Sequence, residues 1–332
     1  MTGSSATVPP EATTPQRSHG RSPSGYPPVV RIREVGPRDG LQTEAPLDVA
    51  DRAALVRALV DAGTTNIEAA SFVSPRAVPA MADADKLLAL LSDLPPQVTV
   101  SALVPNVRGA ELAIEARRRG GPLQEITATV SASEVYSERN VHMSVDRSVA
   151  ELEGICAIAS SEDLPVDAVL SCSFGSPYEG DIPADAVGRL CRRLRSAGVT
   201  SLTLADTTGM ATPRRICEVL AVTGNELGLH LHDTRGTALV NLYAAMQEGV
   251  VRFDAAVGGL GGSPFARGAG AGGEAGGNVA TEDVVSLLDD LGVRSRVDLV
   301  KLIEVSKQLE VMVGHPVPSR VARAGPRTAG SG

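Results

Sequence analysis

The chain has 332 residues, 43% of them hydrophobic and 21% charged, which is enough apolar material for a large core and unlike a wholly disordered composition. Its net charge of −8 argues against a surface that tracks nucleic-acid phosphates, because such surfaces carry a basic stripe. No apolar run approaches the roughly 20 residues that a membrane-spanning helix needs.

Residues 1–27 are rich in Ser, Thr, Pro and Gly, with Arg17, Arg21 and a single acid, Glu11. A Ser-rich, acid-poor start is similar to a transit peptide, but Pro9, Pro10, Pro15 and Pro23 would break the amphipathic helix that such a peptide forms. A disordered extension is expected instead. Over residues 28–321 short β-branched runs alternate with helical stretches, the pattern of a parallel sheet covered by helices. Strands are expected at 29–35, 66–70, 98–103, 125–130, 166–171, 201–205, 227–232 and 252–256. In the first helix Asp48 is the expected N-cap, Leu55, Leu59 and Ala62 recur at helical spacing, and Gly63 supplies a left-handed C-terminal cap. Further helices are expected at 80–91, 107–119, 145–160, 184–197, 213–222, 238–249 and 281–291. Eight strand–helix units predict one α/β domain, a closed (β/α)8 TIM barrel, with an extra C-terminal helix over 297–313 packed outside it and a disordered tail over 322–332. With 2% aromatic residues and no Trp, its layers must be built from Val, Leu, Ile and Ala. The alternative, an open doubly wound sheet, would carry a glycine-rich phosphate loop after its first strand. That turn reads Gly36-Pro37-Arg38-Asp39-Gly40 instead.

Two features have plain structural readings. The run Arg117, Arg118, Arg119 reads as the solvated end of a helix, matched to its dipole. Cys156, Cys172, Cys191 and Cys217 lie far apart without a C-x-x-C pair, so neither a zinc site nor a disulfide framework is indicated. A reducing, cytoplasmic compartment is the natural expectation.

In a TIM barrel the chemistry gathers at the C-terminal ends of the strands. Arg38 and Asp39 follow the first strand, Glu68 lies in the second, Asp206 follows the sixth, and His230 and His232 close the seventh. The strand period of two points both imidazoles to one side, where a single ion can meet them. With a carboxylate from Asp39 and the amide oxygen of Asn278 they make a mixed nitrogen and oxygen set, suited to Mg2+ or Mn2+. The competing reading makes them ordinary rim residues bonded to Asp233 and Thr234. Arg38 and Asp39 are either a surface ion pair worth under about 1 kcal/mol or groups aimed by a tight loop, with the guanidinium ready to stabilise an enolate oxygen. Glu68 would be costly to bury alone, and Arg38 is its expected partner. The glycine-rich stretch 258–277 reads either as a loose linker or as a mobile lid over the mouth, with Asn278 and Glu282 at its far end.

These segments together resemble the 3-hydroxy-3-methylglutaryl-CoA lyase family. The resemblance is carried by Glu34-Val35-Gly36-Pro37-Arg38-Asp39-Gly40-Leu41-Gln42, Ser71-Phe72-Val73-Ser74-Pro75, His230-Leu231-His232-Asp233-Thr234 and Gly277-Asn278-Val279-Ala280-Thr281-Glu282-Asp283, and it spans about 29–313. It implies that Asp39, His230, His232 and Asn278 are metal ligands and that Arg38 stabilises an enolate. It implies further that Glu68 and Asp206 shape the polar site and that Glu282 supports the ligands from behind. The implied reaction is metal-dependent cleavage of an acyl-CoA substrate, 3-hydroxy-3-methylglutaryl-CoA, to acetyl-CoA and acetoacetate. Such a cleavage needs a base for the 3-hydroxyl proton, a Lewis acid and a cation to hold the thioester enolate. Asp39 and His230 both stand as the base.

The family carries a cysteine in its glycine loop, thought to protonate the departing enolate, where this chain has Ser263. A free thiol titrates near about 8.5, whereas a serine hydroxyl is a far weaker acid at neutral pH. The loop over 267–277 is also longer than the family's usual form. Three functions therefore remain in view: a lyase with a changed proton donor, a related enzyme that condenses acyl-CoA with a 2-oxo acid, and a weakly active protein that binds metal and acyl-CoA. Homo-oligomerisation is left open.

Overall fold

The computed structural model describes residues 25–262 and 277–327. Eight parallel strands close into one barrel in sequence order. They are β1 (Arg31–Glu34), β2 (Asn66–Ser71), β3 (Thr99–Val104), β4 (Leu123–Ser131), β5 (Val166–Ser171), β6 (Ser201–Asp206), β7 (Gly228–Leu231) and β8 (Arg252–Ala255). Closure is made by β1 and β8, in register from Arg31 opposite Arg252 to Glu34 opposite Ala255. Every strand expected from the sequence is present, and the fold is the expected TIM barrel.

The covering helices are α1 (Val49–Asp61), α2 (Ala84–Leu90), α3 (Val107–Arg118), α4 (Glu134–Val141), α5 (Val145–Ser160), α6 (Ala184–Ser196), α7 (Pro213–Thr223), α8 (Ala238–Gln247), α9 (Thr281–Asp290), α10 (Leu299–Val313) and α11 (Arg320–Ala324). Several start on side-chain caps. Asn106 accepts from the Gly109 amide at 2.9 Å, and Asp298 accepts from Val300 and Lys301 at 3.0 and 3.1 Å, each satisfying amides that have no partner inside the helix. Asp48 occupies the expected N-cap of α1 but makes no side-chain cap bond. Gly63 has φ +95, and a Cβ there would sit 2.4 Å from the Arg296 carbonyl oxygen, so the turn into β2 excludes a side chain on two counts.

The structure corrects several boundaries. The helix expected over 80–91 begins only at Ala84, after a 3-10 turn at Pro79–Met81 and a left-handed Asp83 (φ 58). α4 was not anticipated; the cap that starts it is Ser133, whose side chain accepts from the Tyr136 amide. The tail expected from Ala322 overlaps α11, because the Ser319 hydroxyl and the Val321 amide bond Asp283 at 3.0 and 2.8 Å and hold the segment on α9. At the other end Tyr26 shares a 2.7 Å hydrogen bond with Tyr243; residues 1–24 and 328–332, the rest of the expected extension and tail, lie outside the described residues.

The core between barrel and helices is aliphatic, with Ile67, Leu59, Leu87, Leu88, Ile126 and Leu204 fully buried and Phe174 and Phe253 its large aromatic members. Among the described residues no helix is long and apolar enough to cross a membrane. Arg117, Arg118 and Arg119 do end α3 as expected, with Arg117 and Arg118 reaching Glu162 and Arg119 pairing with Glu115.

Candidate metal centre

The turn after β1 sets the site. One π-helical turn, Gly36–Gly40, turns three successive amides, those of Arg38, Asp39 and Gly40, back on the Val35 carbonyl at 3.1, 2.7 and 3.1 Å. Arg38 and Asp39 are both buried there, at 8% and 6% exposure, so their contact is not a surface ion pair. The Arg38 Nη1 donates to Asp39 Oδ1 at 2.6 Å, and its Nε donates to Glu68, the partner expected for it. Gln42 adds a second bond to Asp39 Oδ1 at 2.6 Å. Burial alone would raise the Asp39 carboxyl, but the Arg38 guanidinium and the two nearby imidazoles hold it down at about 2.

His230 lies in β7 and His232 follows it, and the alternation of the strand turns both rings to the barrel mouth. Their Nε2 atoms are 2.9 Å apart, and Asp39 Oδ2 lies 3.9 Å from one and 4.0 Å from the other. Among the described residues, these three bring their ligand atoms close enough together to share an ion. Neither ring bonds as the rim alternative required. The Nδ1 of His230 faces Asp254 at 3.1 Å and the Nδ1 of His232 faces the Thr207 carbonyl at 2.8 Å, while Asp233 caps Ala238 and pairs with Arg320.

Those outer contacts settle the ring protons. A carbonyl oxygen only accepts, so His232 carries its proton on Nδ1. Burial raises the Asp254 carboxyl, but Arg33 and His230 together hold it far below the usual carboxylate range, so Asp254 also only accepts and His230 is protonated on Nδ1. When both rings are neutral, each turns a bare Nε2 lone pair toward the other across 2.9 Å, an arrangement that is repulsive unless a proton on His230 or a cation lies between them. The two rings respond in opposite directions. For His230, burial lowers the imidazole but Asp254 and Asp39 outweigh it and carry it above its ordinary value. For His232, burial and the neighbouring His230 push it down to about 4.

Asn278 is drawn beside His232 by an antiparallel bridge between the two residues. Its Nδ2 donates to Asp39 Oδ2 at 2.6 Å and to the Leu260 carbonyl at 2.9 Å, leaving Oδ1 buried without a partner. A buried oxygen of this kind calls for a partner, and a cation supplies one. The Asp39, His230 and His232 donors fit a divalent metal in spacing as well as in chemistry: a point exists about 2.1 Å from Asp39 Oδ2 and both Nε2 atoms, and Mg2+ holds its ligands at roughly 2.0–2.1 Å. Gly261 makes room for the cluster. With φ +92, it would place a Cβ 2.5 Å from the Asp39 carbonyl oxygen and 2.8 Å from Asn278 Nδ2.

Asp206 ends β6, where its Oδ1 accepts from the amides of Met210 and Ala211 at 2.7 and 3.0 Å while Oδ2 stays buried and unpaired. Burial, against those two bonds, raises it to about 6. Glu68 likewise keeps a buried, unpartnered Oε1. Glu282 does not meet the ligands. It accepts from the Gly258 amide at 2.9 and 3.2 Å and from the Ser306 hydroxyl, bracing the turn after β8. Ser263 and most of the glycine-rich stretch read as a linker or a lid, residues 263–276, lie outside the described residues. Sequence reasoning passed over Asp254 and Gln42 as functional residues. For Asp254 a signal existed, an acid between Phe253 and Ala255 inside a strand that had to be paired somewhere.

A parallel barrel with an Asp-His-His cluster at its C-terminal mouth makes this protein a TIM barrel with a candidate metal site where such barrels place their chemistry. The chain belongs to the HMGL-like family, whose model matches residues 29–309. It is 40% identical over 302 residues to the hydroxymethylglutaryl-CoA lyase of Bacillus subtilis, covering 89% of this chain and 97% of that one. It is 39% identical over 304 residues to the 3-hydroxy-3-isohexenylglutaryl-CoA/hydroxymethylglutaryl-CoA lyase of Pseudomonas aeruginosa, covering 90% and 97%. Among solved structures it is similar to an HMG-CoA lyase from Acinetobacter baumannii in complex with coenzyme A and 3-methylmalate, with a TM-score of 0.82 at 35% identity over 93% of this chain and 98% of that one.

Proposed function

We propose that the protein is a divalent-metal-dependent carbon–carbon lyase that cleaves 3-hydroxy-3-methylglutaryl-CoA, or a close 3-hydroxyacyl-CoA analogue, to acetyl-CoA and a keto acid. Membership of the lyase family supports the reaction, and one observation carries the metal: two imidazoles, each held at Nδ1 by an outer acceptor, bring their Nε2 atoms to 2.9 Å of each other and to 3.9 and 4.0 Å of Asp39 Oδ2, a cluster that one cation can share. Asp39, His230, His232 and Asn278 would hold the cation, Mg2+ or Mn2+ by the hardness of the set. When bound, it supplies Lewis acidity toward the substrate's oxygens.

The chain's own residues divide the remaining work. Arg38, locked between Glu68 and Asp39, offers a fixed cation to the oxygen on which the thioester enolate develops its charge. Asp39, held at about 2, is too weak a base for the 3-hydroxyl proton. Asp206 suits that task better, because it is raised to about 6 and keeps one buried oxygen without a partner, and a general base works best when its pKa lies near the operating pH. In sequence, Ser263 takes the place of the family's loop cysteine, the residue expected to donate the enolate's proton. A cytosolic setting agrees with four cysteines that form no disulfide.

The test is a coupled assay for acetyl-CoA with Mg2+ or Mn2+ over a series of 3-hydroxyacyl-CoAs, including one with a longer 3-alkyl branch. Turnover at about 1 s−1 or faster, the low end of ordinary enzyme rates, is expected for at least one member. Tight acyl-CoA binding without products would assign the chain a binding role. Free CoA released from acetyl-CoA and a 2-oxo acid would make it a condensing enzyme.

A further inference from the structure

Beneath the histidines the barrel interior is filled by charge rather than by aliphatic layers. Arg33 of β1 lies at its centre. Its Nε and Nη2 donate to the two oxygens of Asp254 at 2.9 and 2.8 Å, a bidentate pair made across the strand junction that closes the barrel. Its Nη1 donates to Asp167 Oδ2 at 2.9 Å and reaches Glu125 Oε1 at 3.4 Å. Asp167 is held in turn by the hydroxyls of Thr203 at 2.8 Å and Ser201 at 2.6 Å, and Arg252 lies 3.5 Å from it. The layer thus sets two guanidinium groups against three carboxyl groups.

We propose that Arg33, acting through Asp254, is a positioning residue for the metal centre: the bidentate grip aims the Asp254 carboxylate at His230 Nδ1, which keeps the ring proton there and presents Nε2 to the ion. Three features of the geometry support the assignment. Asp254 stands in register with His230 on the neighbouring strand, so the contact follows from the sheet itself. Asp254 Oδ2 is shared between Arg33 at 2.8 Å and His230 at 3.1 Å, which makes a continuous chain from guanidinium to carboxylate to imidazole. A carboxylate in this outer position also raises the basicity of the ligating nitrogen, and loss of such partners typically costs about ten- to a hundredfold in metal affinity. His232 is oriented differently, by the Thr207 carbonyl, so the two ligands can be perturbed one at a time.

The proposal rests on the metal-centre reading above, and its test separates the two. Asp254→Asn keeps the shape of the side chain and removes its charge; Arg33→Lys keeps a cation and removes the fork; Glu125→Gln alters an Arg33 neighbour that does not touch His230. Titration calorimetry with Mn2+ alone should show about ten- to a hundredfold weaker binding for Asp254→Asn, a smaller loss for Arg33→Lys and none for Glu125→Gln. Long-range proton–nitrogen NMR on the metal-free protein, at a pH where His230 is neutral, should find its proton on Nδ1 in the parent and shifted at least partly to Nε2 in Asp254→Asn, with the His232 tautomer unchanged. Thermal unfolding in chelator confirms that each variant is folded. A parent that fails to bind Mn2+ would refute the metal centre while the tautomer measurement still decides the positioning role. Unchanged Mn2+ affinity in Asp254→Asn, or a His230 tautomer that ignores Asp254, would overturn the proposal.

Discussion

Glu282 offers a direct measurement of how this barrel treats a buried acid. It is 0% exposed in the first turn of α9, accepts from the Gly258 amide and the Ser306 hydroxyl, and has no salt-bridge partner among the described residues. Burial pushes its carboxyl up from 4.5 to about 8, with the nearby Glu34 and Asp283 adding to the rise against the Gly258 bond. The folded protein therefore holds a proton that the unfolded chain releases above pH 4.5, so stability is greatest below that value and falls as pH rises toward about 8. At roughly 1.4 kcal/mol per pH unit the loss from this one group is on the order of 3 kcal/mol by pH 7 and 5 kcal/mol by pH 8. Glu282→Gln removes the titration and keeps the contacts, because an amide oxygen accepts from Gly258 and the amide nitrogen donates to the Ser306 oxygen. Urea unfolding of metal-free parent and variant should give nearly equal stability at about pH 5, and a variant more stable by several kcal/mol at about pH 8.5. A stability difference that does not change between those two pH values would refute the reasoning and make Glu282 an ordinary ionised brace.

Arg38→Lys keeps the charge but loses the planar fork that reaches Glu68 and Asp39 together; steady-state kinetics should show kcat lower by about a hundredfold with KM little changed, whereas an effect confined to KM would assign Arg38 to substrate binding. If ionised Asp206 is the base, kcat/KM falls as pH drops through about 6, and Asp206→Asn should abolish that limb of the profile along with most of the rate. Gly261→Ala forces a side chain against Asp39 and Asn278 at φ +92, so it should cost about 1–3 kcal/mol in urea unfolding and weaken Mn2+ binding in calorimetry. Ser263→Cys should raise kcat, with the gain growing between about pH 7 and 9 if a thiolate takes part; no gain, together with no loss in Ser263→Ala, would remove residue 263 from the proton path.

Much of the barrel and half of its site were legible in the chain because they depend on local periods. Eight β-branched runs alternating with helices were enough to call the fold, and the strand period of two turned His230 and His232 to one side without any knowledge of their neighbours. Glu68 was matched to Arg38 because a carboxylate inside a strand demands a cation, and the structure pairs them. Tertiary closure decided the rest. Arg33 and Asp254 are 221 residues apart and meet only where β1 and β8 seal the barrel, so nothing in either strand could name the other as its partner. Glu282 follows Asn278 closely in sequence and was read as support for the ligands, yet α9 turns its carboxyl toward Gly258 and Ser306. The open oxygens of Asp206 and Asn278 likewise exist only in the folded chain. Periodicity tells which face of an element a residue occupies, but the partner waiting on that face is set by long-range packing, and at this site the partner determines which atom is free to react.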